Sequence, residues 1–146
     1  MVRPDFVKRK IYLITEDLAR LTHFKDEPFE AIVGDFAKLA TVERLLERIV
    51  MRAIDVNEHL IAEMADGQEE KTTRLTYRDT FLKLSGLGVY PKDFAGQIAK
   101  SAGLRNILIH DYNDVERRIV YASIKECLRD YQRYIESLLA FLNRLP

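Results

Sequence analysis

The chain lacks most of what a disulfide-stapled, all-β or membrane-spanning protein needs. Its single cysteine, Cys127, excludes an internal disulfide and any multi-cysteine metal site. Six glycines and four prolines in 146 residues are too few for the turns of an all-β fold. No run approaches the roughly 20 apolar residues of a membrane span, and residues 1–5 lack the apolar core of a signal peptide. We therefore expect a soluble, cytoplasmic protein with Cys127 as a small core residue.

Excess charge of either sign is also missing, since 23 Lys and Arg balance 23 Asp and Glu. A neutral chain has no overall field that attracts nucleic acid, so any contact with RNA or DNA depends on a local cluster of charge. This excludes a general nucleic-acid coat protein but not a nuclease. The length and the 47% hydrophobic content suffice for one domain, residues 1–146, with its own core.

What is present is helical periodicity. Five segments carry apolar residues three or four positions apart; they are residues 5–23, about 29–64, 77–85, about 91–109 and 113–145. Gly34 is a candidate break inside the second segment, and the polar run 65–76 predicts a loop. The pattern predicts an all-α, up-and-down bundle of four to five helices.

Two of these helices have a predicted inward face. In the second segment it consists of Phe36, Leu39, Val42, Leu46, Ile49, Ala53, Val56, Leu60 and Met64. In the last segment it consists of Tyr121, Ile124, Leu128, Tyr131, Ile135, Leu138, Leu142 and Leu145. The second list has heptad-like steps and predicts packing along another long helix. Asn113 is the predicted N-cap of that helix, and Glu116 completes a capping box.

The run 105–112, between the last two helices, holds the residues best suited to chemistry: Arg105, His110 and Tyr112. On a straight helix the side chains of Arg105 and His110 point about 140° apart. They converge only if the helix unwinds near His110 or if a second copy of the chain supplies the other half. A symmetric dimer would bring two copies of each residue into one cleft, so the geometry favours a dimer.

These residue types suit cleavage of RNA without a metal ion. The imidazole of His110 can take the proton from a ribose 2′-hydroxyl, and the guanidinium of Arg105 can hold the phosphate as negative charge develops. Tyr112 could position a phosphate, stack on a base or act as a nucleophile. The alternative is structural, because Arg, His and Tyr at a helix end can also cap its carbonyl groups.

The run resembles the Arg-x4-His-x-Tyr signature of HEPN-domain proteins, specifically the HepT-like toxins. The resemblance covers most of residues 5–145 and includes the runs 53–61, 77–84 and 88–90. It implies an all-helical homodimer that cleaves RNA without a metal or other cofactor, with Arg105 and His110 as catalytic residues. Asn106 and Asp55 are the further candidates for the cleft or its surroundings.

The resemblance also implies a partner. Such toxins are encoded with a small nucleotidyltransferase antitoxin of the MntA kind, which transfers AMP to a tyrosine that corresponds to Tyr112. A phosphate ester there would block the cleft and offer Arg105 an anion in place of substrate, and toxin and antitoxin could form a higher assembly. The alternative is a noncatalytic HEPN chain that binds a nucleotide or substrate for such an enzyme. A dimerising bundle whose only role is assembly is a third reading.

Other candidates are less specific. Asp55, His59 and Glu63 are spaced by four and could share a helix face. A metal site can be imagined from them, although a hydrogen-bonded polar stripe is favoured. His23 is expected to cap the first helix.

Two arginines one turn apart, Arg44 and Arg48, either extend a basic surface or pair with Glu43 or Glu47. The spacing alone leaves both readings open.

Overall fold

Every element of regular structure in residues 1–64, 74–109 and 113–146, the parts of the chain that the computed structural model describes, is helical. In chain order the elements are α1 (Pro4–Thr22), α2 (Phe29–Val33), α3 (Phe36–Met64), α4 (Tyr77–Gly86), α5 (Lys92–Ile98), a 3₁₀ segment (Ala99–Gly103), α6 (Leu104–Leu108) and α7 (Asp114–Arg144). The predicted all-α class is confirmed. None of the described helices is long and apolar enough to cross a membrane.

Two of the five predicted segments are divided. Gly34 ends α2 as its C-cap, so the predicted break is confirmed. The segment predicted as one helix over 91–109 is wrong in detail, because the 3₁₀ segment separates α5 from α6. Gly96 and Gly103 weaken a regular helix there, and the Ser101 hydroxyl donates to the carbonyl of Ile98 at 2.7 Å, a local bond that competes with the regular ladder.

Capping boxes fix the starts of the two helices that follow the undescribed stretches. Asn113 and Glu116 bond each other's backbone N–H at the start of α7, as predicted. Thr76 and Asp79 do the same for α4. Each box satisfies two backbone N–H groups that the helix itself leaves without a partner. The starting points of both helices are therefore set locally by sequence.

The core extends between α1, α3, α4, α5 and α7, and aromatic side chains are concentrated where α4 and α5 meet α7. Tyr134 is fully buried, and its hydroxyl lies 2.6 Å from Oδ1 of Asn57 and 3.0 Å from the carbonyl of Ala53. The side-chain amide of Asn57 donates in turn to the Thr80 hydroxyl at 3.2 Å. Burial raises the pKa of Tyr134 well above its ordinary value. This polar chain links α3, α4 and α7 inside the core.

The predicted inward faces need two corrections. Phe36 is 89% exposed, although Val42 and the positions up to Leu60 in its predicted stripe are buried. Two successive three-residue steps rotate Phe36 about 120° from Val42 around the helix axis.

In α7 the predicted seam is displaced from the buried face. The buried line is Val120, Ile124, Cys127, Tyr131, Tyr134, Leu138 and Phe141. Leu128 and Ile135 of the seam are only partly buried and line a groove against α1 instead. Cys127 is buried as predicted, and that burial raises the pKa of its thiol.

Candidate functional site

Helix α6 is a single short turn that presents the first half of the predicted motif. Leu104 is buried and anchors the turn against the core, while Arg105 is half-buried and Asn106 is exposed. The turn closes with the N–H of Ile109 bonded to the carbonyl of Arg105 at 3.2 Å. The chain thus places Arg105 and Asn106 side by side at the surface.

The Arg105 side chain rests on an aromatic ring. Its guanidinium carbon lies 5.5 Å from the centroid of the Tyr77 ring at the start of α4, within the range of a cation–π interaction. No carboxylate in the described parts of the chain forms an ion pair with Arg105. The ring orients the guanidinium without neutralising it, which leaves its charge available for an anionic ligand.

The second half of the motif, His110 and Tyr112, lies outside the described residues. The catalytic and modification roles predicted for these two residues stay predictions. The polar loop predicted over 65–76 falls largely outside the described ranges as well, which resume at residue 74.

Asp55, predicted near the cleft, has a partner of its own. Its Oδ2 accepts from Nζ of Lys10 on α1 at 2.9 Å. Among the contacts of the described residues, none joins Asp55 to Arg105 or Asn106 by a hydrogen bond or an ion pair. The structure therefore brings Arg105 and Asn106 together and gives Asp55 a contact between α1 and α3.

The two residues that share a spacing of four with Asp55 also bind the N-terminal segment. His59 Nε2 accepts from the backbone N–H of Arg3 at 3.0 Å, and its ring lies 4.8 Å from that of Phe6. Glu63 is bonded to the terminal ammonium, and that bond and charge lower the pKa of Glu63. Across the described ranges no three His, Cys, Asp or Glu side chains form a cluster that could hold a metal ion.

The remaining candidates have structural contacts. His23 is the C-cap of α1, as predicted, with its N–H bonded to the carbonyl of Arg20. Arg44 forms an ion pair with Glu47 at 2.5 Å, so the second of the two alternatives for Arg44, pairing on its own helix, is confirmed. Arg48 lies with its Nε 3.1 Å from the buried carboxylate of Asp17.

A groove of about 480 Å³ adjoins Arg105, and sequence reasoning did not single it out. We call it the α4 groove; it is lined by Thr76, Tyr77, Arg78, Ala99, Lys100, Ala102, Gly103 and Asn106. In the sequence, the run 77–84 is significant only as part of the resemblance to HepT-like proteins. In the sequence, Tyr77 and Arg78 are recognisable as an aromatic and a basic residue at a predicted helix start. This pattern does not indicate that the 3₁₀ segment packs opposite them.

Apolar side chains are exposed shortly before and shortly after residues 110–112. Ile109 is 51% exposed, and Val115 and Ile119 are 68% and 43% exposed. Isolated exposed apolar residues are ordinary, but a group beside a candidate site is typical of an interface.

Fold and site together define a small helical domain in which Arg105, on a short helix five residues before a histidine, forms no ion pair with a carboxylate of the described ranges. The sequence model of the family described as Ribonuclease HepT-like matches residues 14–138. The chain belongs to this family, which confirms the resemblance to HepT-like HEPN proteins.

Two HepT nucleases align with nearly the whole chain. The tRNA nuclease HepT of Aphanizomenon flos-aquae (strain 2012/KM1/D3) is 28% identical over 141 residues, 97% of this chain and 92% of the relative. The mRNA nuclease HepT of Shewanella oneidensis is 26% identical over 136 residues, 93% of this chain and 98% of the relative.

Solved structures share the fold. A toxin–antitoxin crystal structure with AMP-PNP contains a chain that superposes with a TM-score of 0.78 at 24% identity, covering 93% of this chain and 98% of that one. The tri-AMPylated Shewanella oneidensis HEPN toxin in complex with MNT antitoxin gives a TM-score of 0.79 at 24% identity, with coverage of 94% and 99%. At this identity the likeness establishes the HEPN fold.

Proposed function

We propose that the chain is the ribonuclease toxin of a toxin–antitoxin pair and cleaves RNA without a metal ion, with Arg105 and His110 as catalytic residues. The observation that carries the proposal is the state of Arg105: its guanidinium is held on the Tyr77 ring, forms no ion pair with a described carboxylate and lies five residues before a histidine. Membership of a ribonuclease family makes an RNA phosphate the fitting anion.

The chemistry follows from the two side chains. Neutral His110 takes the proton of a ribose 2′-hydroxyl, and the 2′-oxygen attacks the adjacent phosphorus. The bond from phosphorus to the 5′-oxygen breaks, and that oxygen takes up a proton from solvent. The products are a 2′,3′-cyclic phosphate and a free 5′-hydroxyl. Arg105 stabilises the additional negative charge on the phosphoryl oxygens in the transition state.

A homodimer would complete the cleft. The exposed Ile109, Val115 and Ile119 lie close in sequence to His110 and Tyr112. A two-fold interface over this surface would bury them and bring two copies of Arg105 close together.

We further propose regulation by a nucleotidyltransferase antitoxin of the MntA kind, which would transfer AMP to Tyr112. A similar fold is described as a tri-AMPylated HEPN toxin in complex with MNT antitoxin. An adenylyl group two residues from His110 would fill the cleft and offer its phosphate to Arg105. Toxin and antitoxin would then form an assembly larger than the dimer.

Replacement of the histidine tests the nuclease assignment. We expect His110→Ala to lower RNA cleavage by about 10²–10⁴-fold, the usual contribution of a general base, with the dimer and the melting temperature preserved. His23→Ala is the matched control, because His23 only caps α1. Cleavage is measured with and without a chelator of divalent metals. Equal cleavage by the His110→Ala variant would contradict the assignment, and nucleotide binding without cleavage would favour the noncatalytic partner.

Mass spectrometry tests the modification. The chain is expressed alone and with its neighbouring nucleotidyltransferase, and the peptide that contains Tyr112 is examined in both samples. We expect an adenylyl adduct on that peptide only after co-expression and none with Tyr112→Phe. An unmodified peptide beside a demonstrably active partner enzyme would rule the modification out.

A further inference from the structure

We infer that the α4 groove binds the RNA strand next to the cleaved phosphate, with Arg78 and Lys100 contacting its phosphates and Tyr77 joining the groove to Arg105. This rests on the proposed function. The ligand class is single-stranded RNA, held by its backbone rather than by its base sequence.

The groove is continuous with the candidate catalytic arginine. Tyr77 lines the groove, and the same ring carries the Arg105 guanidinium at 5.5 Å. Asn106, the neighbour of Arg105 on α6, lines the groove as well. Tyr77 and Asn106 thus connect Arg105 to the α4 groove, and in this proposal the nucleotide next to a phosphate bound by Arg105 enters the groove.

The charge of the groove suits a polyanion. The described residues that line it carry two cations, Arg78 and Lys100, and no carboxylate. Both cations are exposed, and neither has an ion-pair partner within the described ranges. Because the chain as a whole is neutral, a local cluster of this kind has to supply the attraction for RNA.

The nearest carboxylate of α4 has another role. Asp79 accepts from the backbone N–H of Thr76 at 3.1 Å, and the Thr76 hydroxyl accepts from the N–H of Asp79 at 3.1 Å. These bonds lower the pKa of Asp79 and hold its carboxylate at the helix start, outside the lining of the groove. The box satisfies the backbone N–H groups of Thr76 and Asp79, and we assign the phosphate contacts to side chains.

A second groove on the other side of the 3₁₀ segment provides the contrast. It has a volume of about 430 Å³, and Lys100 also reaches it together with Arg129. There, however, Glu126 and Asp130 balance the two cations, and Arg129 Nε is bonded to Oδ1 of Asp130 at 2.8 Å. An RNA backbone is repelled by such carboxylates, which favours the α4 groove.

The size and floor of the α4 groove fit a nucleotide. Its volume of about 480 Å³ falls in the range of roughly 300–1,000 Å³ typical of ligand sites. Ala99, Ala102 and Gly103 form the side provided by the 3₁₀ segment, and such small side chains let a sugar–phosphate backbone approach closely. Tyr77 is a positioning residue, since its ring sets the direction of Arg105.

Salt dependence of RNA binding is the decisive measurement. A fluorescent single-stranded oligoribonucleotide is titrated with the full chain that carries His110→Ala, so that cleavage does not interfere, at several salt concentrations. Each phosphate contact to single-stranded nucleic acid contributes about 0.7 to the slope of log K against log salt concentration. We expect Arg78→Ala and Lys100→Ala each to lower that slope by about this amount.

Matched controls remove the same charge elsewhere. Lys92→Ala lies on α5 outside the α4 groove, and Arg129→Ala alters the balanced groove. Both are expected to keep the slope of the parent chain. A slope that falls with Arg129→Ala but not with Arg78→Ala would overturn the assignment, as would a parent chain that does not bind the oligonucleotide.

Kinetics on the chain with an intact motif separate this inference from the proposed function. Lys100→Ala should raise KM several-fold with little change in kcat, because its contact is equal in the ground and transition states. Tyr77→Leu should lower kcat, and Tyr77→Phe should restore it, because the ring is what holds Arg105. If the chain cleaves RNA but none of these substitutions changes its kinetics, the nuclease assignment stands and the groove assignment is wrong. If the chain binds RNA through the groove but does not cleave it, the groove assignment stands and the nuclease assignment is wrong.

Discussion

Arginines serve opposite purposes at two places in this molecule. On α1, the carboxylate of Asp17 is fully buried and holds Arg20 at 2.9 Å and Arg52 at 2.6 Å, with Nε of Arg48 at 3.1 Å. On α6, Arg105 has an aromatic ring beneath it and no ion pair with any described carboxylate. The first arrangement joins α1 to α3, whereas the second holds a cation against a ring at the start of α4.

The partner of an arginine therefore indicates its role better than its position in the sequence. Three guanidiniums share one carboxylate at Asp17, and Arg48 Nε, although close, is not aligned for a hydrogen bond. Their charges are partly neutralised by an anion that water does not reach. At Arg105 the ring orients the guanidinium without neutralising its charge, which is the property on which its proposed role as a phosphate-binding residue rests.

Removal of the buried anion should have the largest effect on stability. In Asp17→Asn the three guanidiniums lose their common anion and repel one another at the junction of α1 and α3. Breaking a buried pair from one side costs about 3–5 kcal/mol, which we expect as the loss in free energy of unfolding in urea. Asp26→Asn, at an exposed position, is the matched control. Unfolding at the same urea concentration as the parent chain would show that Asp17 contributes nothing.

The two regions also differ in how far the sequence predicts them. Arg105 stands out because its motif is local: the residues that give it meaning lie within eight positions. Asp17 gives no such signal, because its partners Arg48 and Arg52 are more than thirty residues away and are brought near only by the packing of α3 on α1. The sequence suggests a partner for Arg48 on its own helix, Glu43 or Glu47, whereas the carboxylate near it belongs to Asp17 on α1.

Fold prediction shows the same division between local and long-range information. Caps such as Asn113 and breaks such as Gly34 were predicted because their physical causes are local. The predicted inward face of α7 differs from the buried face. A heptad pattern identifies an apolar face, but it does not identify which neighbouring helix covers which part of that face. The α4 groove was missed for the same reason: Tyr77 and Lys100 are far apart in sequence and meet only in the folded chain.

Truncation of Arg105 should have the smallest effect on stability and yet a large effect on activity. Arg105→Ala removes only a cation–π contact at a half-buried site, which is expected to cost about 0.5–1 kcal/mol. Cleavage of RNA, in contrast, should fall by roughly 10²–10³-fold, the usual result of losing one donor to a developing negative charge.

Arg52→Ala gives the comparison within one chain, since it breaks a contact to a buried carboxylate and should destabilise the fold by about 1.5–3 kcal/mol. Both quantities are measured on the same preparations by urea unfolding and by cleavage of an RNA substrate. If Arg105→Ala destabilises the chain as much as Arg52→Ala does, then Arg105 is a structural arginine, and the distinction drawn from their partners is wrong.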